Sequence, residues 1–317
     1  MTRRRTALAA AAAGGLLVAA CGGTAASPSS ADQPAAPAHA TATATATVTA
    51  AAAAATPPTK VLVIVEENHT ETSALRGMPY LAQLARTYGH TTAYKAVTHP
   101  SLPNYLAIAG GSTFGVKDDA SPSAHHVKGA SVFDQAVAAG RSAEVYAESM
   151  PSACALKPRG RYAVKHNAWA YFSDKTSRAD CREHDVPAGT TRAGALHRDL
   201  RAGTLPTIGE LIPNLCHDAH DCSLATADSW LRTWINAIQT GADWKAGRLA
   251  VVITFDEDDR KGTNTVLTTV VAPHTKHVVS RAKYTHYSLT RYLDHLIGAP
   301  LLRKAAEARS LRPAFHL

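Results

Sequence analysis

Two runs of consecutive apolar residues, each closed by a cluster of acids, stand out along the chain. Val61 to Val65 (VLVIV) leads into Glu66-Glu67-Asn68-His69, and Leu249 to Phe255 (LAVVITF) leads into Asp256-Glu257-Asp258-Asp259. Short, unbroken runs rich in β-branched residues predict strands buried on both faces, the pattern of a parallel sheet. Open α/β sheets bind ligands beyond the carboxyl ends of their strands. Two strands tipped with acids therefore imply one shared polar site, although each run alone also fits a strand turning into a solvated acidic loop.

Helical spacing of apolar positions predicts further elements between and around these strands. Met78 to Tyr88 is a helix stopped by Gly89, and Thr91 to Val97 a short strand. A turn through Thr98-His99-Pro100 opens a helix near Ser101, with Pro103 in its first turn, where a missing N–H costs little. That helix ends at Gly110-Gly111, and Ser131 to Ala139 forms another. Ala143 to Ala147 and Thr207 to Ile212 are strands, separated by an irregular excursion from Cys154 to Cys181. Ala227 to Gln239 is a helix, Thr265 to Ala272 a strand and Tyr287 to Ile297 a final helix. Strands alternating with helices predict an α/β fold with a mainly parallel sheet, in one domain spanning 60–317.

The first 59 residues follow a different pattern. Met1 to Cys21 carries Arg3, Arg4 and Arg5, a short Ala/Leu/Val run and Val18-Ala19-Ala20-Cys21. This reads as a signal peptide ending in a sequence that resembles a bacterial lipobox, with Cys21 as the candidate lipidation site. Ordinary secretory cleavage is the alternative. Residues 22–59 are low-complexity Ala, Thr, Pro and Ser, read as a flexible tether. Export, as a cell-surface lipoprotein or a secreted protein, is the expected localisation, and a possible lipid anchor the expected link to a membrane.

Formal charge is +8 over all 317 residues. Without Arg3, Arg4, Arg5, Lys60 and Asp32, 29 basic residues face 24 acidic ones. The excess is mild and diffuse, with no basic stripe interleaved with aromatics, so nucleic acid is not an expected partner. Cys154, Cys181, Cys216 and Cys222 remain beyond the leader, an even count suited to two disulfides in an exported chain. Three pairings are possible. Proximity favours Cys154–Cys181 and Cys216–Cys222, and the spacing matches no common zinc site.

Ser101 is the candidate nucleophile. At a helix start it sits among free backbone N–H groups and the positive end of the helix dipole, a setting that favours phosphate. The same position also suits a plain N-cap serine. His99 and Asn104 flank it, and Asn104, one turn on, is placed to donate to a phosphoryl oxygen. Glu67, Asn68, Asp256 and Glu257 offer hard oxygen ligands for a divalent cation, which would help ionise the hydroxyl. Lys165, His166, His217, His220 and His286 are candidates to stabilise charge on a transferring phosphoryl group. Glu66 and His69 are read as supporting or solvent-facing.

The ordered set EENHT (66–70), THPSLPNYLAIAGG (98–111), KHNAWAYF (165–172), PNLCHDAHDC (213–222), ITFDEDD (253–259) and HYSLTRYLDHLIG (286–298) resembles the bacterial phosphoesterase family. That family holds acid phosphatases and non-toxin phospholipases C within the alkaline phosphatase-like superfamily. The resemblance implies a three-layer α/β/α sandwich with a metal site at the carboxyl edge of the sheet. It implies Glu67, Asn68, Ser101, Asp256 and Glu257 as metal ligands, and Ser101 also as a nucleophile forming a phosphoseryl intermediate. It implies His166, Asp218 and His220 at the phosphate or leaving group, with His286 as a further member. Ala168 stands where the family has proline, and His217 and Ala219 stand where Asn and Met are expected, which leaves the pocket shape open. A phosphate monoester is the favoured substrate and a monomer the expected state. A phospholipase C-like phosphodiesterase is the alternative, and an inactive surface-binding lipoprotein the rival of another class.

Overall fold

A computed structural model describes residues 56–317. The expected signal peptide, Cys21 and most of the expected tether lie outside these residues. Pro58 is buried and Thr59 N donates to Arg248 O at 2.9 Å, so the contacts of the domain begin just before Lys60.

The strands in chain order are β1 (Lys60–Glu66), β2 (Gly89–Thr91), β3 (Tyr94–Lys95), β4 (Ala143–Ala147) and β5 (Asp185–Pro187). They continue with β6 (Ile208–Ile212), β7 (Leu249–Phe255), β8 (Thr268–Val271), β9 (Val278–Ser280) and β10 (Tyr284–Thr285). The helices are α1 (Glu71–Gly77), α2 (Pro79–Thr87), α3 (Ser101–Gly110), α4 (Val132–Ala138) and α5 (Lys175–His184). They continue with α6 (Ala195–Ala202), α7 (Leu224–Thr240), α8 (Ala242–Lys245), α9 (His286–Ile297) and α10 (Arg312–Phe315).

Eight strands form one sheet in the order β5-β4-β6-β1-β7-β8-β2-β9, and only β8 runs against its neighbours. β3 and β10 make a separate parallel pair. The two strands richest in apolar residues, β1 and β7, lie side by side at the centre, and every residue from Val61 to Glu66 and from Leu249 to Phe255 is buried. Helices α3, α4 and α9 pack together as one outer layer, and α1, α2, α6, α7 and α8 as the other. The fold is the three-layer α/β architecture expected from the sequence.

Helix starts follow capping chemistry. Ser131 caps α4 in a reciprocal box with Asp134, satisfying two otherwise free donors. Asp228, buried on α7, accepts from Tyr80 N and Leu81 N at 2.9 Å each and so caps α2 from another element. Both disulfides favoured by proximity are present, Cys154–Cys181 and Cys216–Cys222.

Local differences have local causes. The single strand expected over 91–97 is split into β2 and β3, which join different sheets. The excursion from Cys154 to Cys181 contains two 3-10 turns and the first two turns of α5. Helix α5 buries only Ser177 and Cys181, so it carries no apolar stripe to announce it. Helix α1 buries Ala74 alone and depends on the Thr70 cap. No helix among the described residues is long and apolar enough to cross a membrane.

Candidate active site

The register of β1 on β7 pairs Glu66 with Phe255, and Asp256 N then donates to Glu66 O at 3.0 Å. Glu67 and Asp256 therefore leave the sheet together. Side chains alternate faces along a strand, and this separates the two adjacent glutamates. Glu67 turns toward α3: Oε1 accepts from Tyr105 Oη at 2.7 Å, and Oε2 accepts from Ser101 Oγ at 3.2 Å and Asn68 Nδ2 at 2.9 Å. Glu66 is fully buried, not solvent-facing, and neither of its carboxyl oxygens has a partner. Burial, then the charges of Asp218, Asp228 and Glu148, pushes its pKa well up.

Ser101 is the first residue of α3 and is buried. Pro100 holds the N-cap position and supplies no side-chain bond, so the serine hydroxyl is not spent on capping. It points to Glu67, with Lys165 Nζ 3.4 Å away. Asn104 performs a holding role where the sequence suggests a phosphoryl contact. Its Oδ1 accepts from Val97 N and Thr98 N at 3.0 Å, and its Nδ2 lies 2.8 Å from Thr98 O and 3.2 Å from Glu257 Oε2. That amide fixes the turn delivering Ser101. His99 stands at the rim, with Nδ1 3.1 Å from Glu257 Oε2 and Nε2 3.5 Å from Asp258 Oδ1.

A second group closes the site from the segment after β4 and the loop after β6. His166 stacks on Tyr105, with ring centroids 5.0 Å apart. Its Nε2 is 3.1 Å from Glu67 Oε1 and its Nδ1 3.1 Å from Asp218 Oδ2. Burial first, then Lys165, drives the His166 pKa well down, so the ring is neutral. Asp218 is anchored through its backbone, since its carbonyl accepts from Glu67 N at 2.8 Å. His220 presents Nε2 3.3 Å from Lys165 Nζ, while Asp221 Oδ1 holds its Nδ1 at 2.7 Å. Burial opposes the charge on Lys165, yet Glu67 and Asp119 raise its pKa.

Two histidines stand apart from this centre. His286 lies beneath it, fully buried, with Nε2 2.7 Å from the Asp256 carbonyl and Nδ1 3.3 Å from Tyr94 Oη. Burial lowers its pKa to about 4, so it donates as a neutral ring and holds Asp256 from behind. His217 turns away to Glu148 Oε2 at 2.7 Å and stacks on Trp230.

The acids at the strand ends are short of positive charge. Burial raises Asp256 to about 6, and burial with the Asp256 charge raises Glu257 to about 8. Asp256 Oδ2 is buried without a hydrogen-bond partner, and the 3.1 Å approaches of His166 Nε2 to Glu67 and of Asp218 Oδ2 to His166 are not aligned as hydrogen bonds. Buried carboxylates are costly unless paired or coordinated, and carboxylate, amide and hydroxyl oxygens suit a hard divalent ion. Glu67, Asn68, Ser101, Asp256 and Glu257 fit that role. The tightest cluster of ligand-type atoms among the described residues is elsewhere: Cys154, Cys181 and Asp185, within 4.8 Å. Its sulfurs are joined in a disulfide and offer no thiolate.

Three residues of the site were given no role from the sequence: Tyr105 and Asn167 lie inside quoted motifs, and Asp119 lies outside them all. Tyr105 lies on α3, whose ten residues are all buried, and reads as core. Asp119, in the loop after α3, accepts from Leu102 N at 2.9 Å and from Lys165 Nζ at 3.1 Å. Asn167 supports its neighbour His166 by donating to Asp185 Oδ2 at 2.8 Å.

Comparison with known proteins gives the family and the fold. The phosphoesterase family profile matches residues 71–298. A phosphatidylinositol-3-phosphatase of Mycobacterium tuberculosis is 29% identical over 255 residues, covering 78% of this chain and 80% of its own length. A phosphate-repressible acid phosphatase of Penicillium chrysogenum is 32% identical over 236 residues, covering 70% of this chain but 55% of its own length. The chain thus spans only about half of that fungal relative. Among solved structures, an alkaline phosphatase superfamily protein from Vibrio parahaemolyticus superposes with a TM-score of 0.54 at 12% identity, over 82% of this chain and 74% of that one. A lipoteichoic acid synthase from Listeria monocytogenes gives 0.54 at 7% identity, over 80% and 76%. These distant likenesses establish the fold.

The support beneath His166 makes stability depend on pH. Burial pushes Asp185 and Glu210 each up to about 8. Unfolded, both ionise near ~4, so between those values the folded protein holds extra protons and stability falls as pH rises. His166 and His286, held neutral by burial, act in the opposite sense below the ordinary histidine range, so the window in which raised acids act alone is about pH 6.5 to 8, and there Glu257, Asp218, Asp294 and Glu144 add to Asp185 and Glu210. Urea unfolding across it is expected to show a loss of roughly 1 kcal/mol or more per acid. An Asp185→Asn, Glu210→Gln double variant should make that slope shallower by the share of those two acids, leaving the part that Glu257 and the other raised acids contribute.

Proposed function

The chain belongs to the phosphoesterase family and is a hydrolase of phosphoester bonds, and we propose that it acts on phosphate monoesters through a phosphoseryl intermediate at Ser101. The observation that carries this reading is the placement of Ser101. It is a buried hydroxyl at the start of a ten-residue helix, bonded to Glu67 and next to the Lys165 ammonium. Helix starts and cations both favour a phosphoryl group.

In the proposed reaction Ser101 Oγ releases its proton along its hydrogen bond to Glu67 Oε2 and attacks phosphorus. The Oγ–P bond forms as the ester P–O bond breaks. The alkoxide leaves with a proton from His220, whose Nδ1 is held by Asp221 Oδ1. In the second half His220 takes a proton from water, whose oxygen bonds to phosphorus as the Oγ–P bond breaks; Glu67 returns its proton to Ser101 Oγ and inorganic phosphate is released. Lys165 screens the negative charge throughout. His166 stays neutral and, with Asp218, keeps Glu67 aligned. A divalent cation held by Glu67, Asn68, Ser101, Asp256 and Glu257 would lower the pKa of the serine hydroxyl and balance the buried carboxylates.

Monoesters are favoured over the phosphodiesters of a phospholipase C because the relatives are named as phosphatases, one of them acting on a phosphoinositide. We propose export, with a signal peptide over 1–21, a tether over 22–59 and lipidation of Cys21 as the membrane link. Two disulfides are in keeping with an oxidising compartment. A small phosphate ester is the proposed substrate and a monomer the proposed state. An inert surface lipoprotein is disfavoured, since no part of the catalytic constellation is missing.

Ser101→Ala is expected to lower turnover of a chromogenic phosphomonoester by about 10³-fold or more, while the urea midpoint moves little. Full activity in that variant would contradict the mechanism. Prolonged dialysis against a chelator should abolish turnover, and one added divalent cation should restore it. Retention of turnover with no bound metal by elemental analysis would remove the cation from the account.

A further inference from the structure

We propose that Asp119 is a built-in competitor for the phosphoryl pocket and sets its affinity for phosphate. The inference rests on the phosphoesterase reading above and deepens it. Asp119 lies in the exposed loop after α3, and its side chain is 31% accessible. Oδ1 accepts from Leu102 N at 2.9 Å, and Oδ2 accepts from Lys165 Nζ at 3.1 Å. The same ammonium is 3.4 Å from Ser101 Oγ.

These are the donors that a phosphoryl group attached to Ser101 requires. Leu102 is the second residue of α3, and Pro103, the third, has no N–H to offer. Few other backbone donors therefore face the nucleophile. One carboxylate, with two oxygens on two donors, occupies them as two oxygens of a phosphate would. The pocket also contains a buried carboxylate oxygen without a partner, Asp256 Oδ2.

Two anions cannot share the Leu102 N–H and the Lys165 ammonium. A phosphate dianion entering the pocket displaces Asp119, and when phosphate departs the carboxylate returns. The residue is solvated enough to swing away at small cost. The consequence is weaker ground-state binding of both substrate and product, and faster release of inorganic phosphate. Asp119 is thus an affinity-setting residue and not a group that touches the reacting atoms.

The test uses the full chain, Asp119→Asn and Asp119→Ala. The asparagine variant keeps an oxygen for Leu102 N–H and removes the charge, and the alanine variant frees both donors. KM for a chromogenic phosphomonoester, the inhibition constant of inorganic phosphate and its calorimetric Kd are measured on all three. Each is expected to fall about ten-fold in the variants, equivalent to ~1.4 kcal/mol, with kcat unchanged or lowered by slower phosphate release. A rise in KM and Kd would make Asp119 a holder of Lys165 and overturn the proposal. Equal binding, or no phosphate binding by any of the three, overturns it too. Calorimetry needs no turnover, so a chain that binds phosphate but cleaves no ester would refute the phosphoesterase reading while still deciding the role of Asp119.

Discussion

The parallel pairing of β1 with β7 determines where every charged group of the site stands. Lys60 lies opposite Leu249 and Glu66 opposite Phe255, with all intervening residues in register. The next residues, Glu67 and Asp256, emerge together, and Asn68 N closes the pair by donating to Asp256 Oδ1 at 3.0 Å. A slip of one residue would send Glu67 to the opposite face and Glu66 toward Ser101. The continuous apolar runs forbid that slip, because both strands are buried on both faces.

The rest of the molecule supplies what those two strands lack. Helix α3 brings its N-terminus and Ser101 to the acids, and Asn104 fixes the turn that leads in. The Cys216–Cys222 loop carries Asp218, tied by its carbonyl to Glu67 N, and His220 above Lys165. The Cys154–Cys181 crosslink braces the segment that carries Lys165 and His166. His286, on α9, holds the Asp256 backbone from below. The result is a dense group of carboxylates with, among the described residues, the Lys165 ammonium and the Arg260 guanidinium 4.0 Å from Glu257 close by, a balance that a bound cation would redress. Burial of these acids is costly, and the fold sustains it through dedicated hydrogen bonds from Tyr105, Asn68 and Asn167.

Much of this was legible in the residue pattern. The strands β1 and β7 and the helices α2, α3, α4, α7 and α9 have apolar periodicity, and their termini carry Gly, Ser or Pro signals. The first-strand acids, Ser101 and Asp256-Glu257 come together because they end elements that the fold aligns at one edge. What remained hidden has physical reasons. Alternation along β1 assigns Glu66 and Glu67 to opposite faces, but only the packed layers show which face meets α3. Helix α5 is polar nearly throughout, and α1 is a single capped turn or two. Asp119 sits in Lys117-Asp118-Asp119-Ala120, which reads as a solvated loop until Lys165 is placed beside it. By residue type alone His217 and His220 are alike, and the resemblance singles out His220; the turn after Asn214 sends His217 to Glu148 and His220 to Lys165.

The central claim is that Ser101 accepts the phosphoryl group. The most direct measurement is acid quenching during steady-state turnover of a phosphomonoester, followed by peptide mass spectrometry. The account predicts the mass of one phosphoryl group on the peptide containing Ser101, with fragmentation placing it on that serine and its loss when substrate is exhausted. A quenched enzyme that turns over substrate but carries no phosphoryl group, or carries it on a histidine, would contradict it.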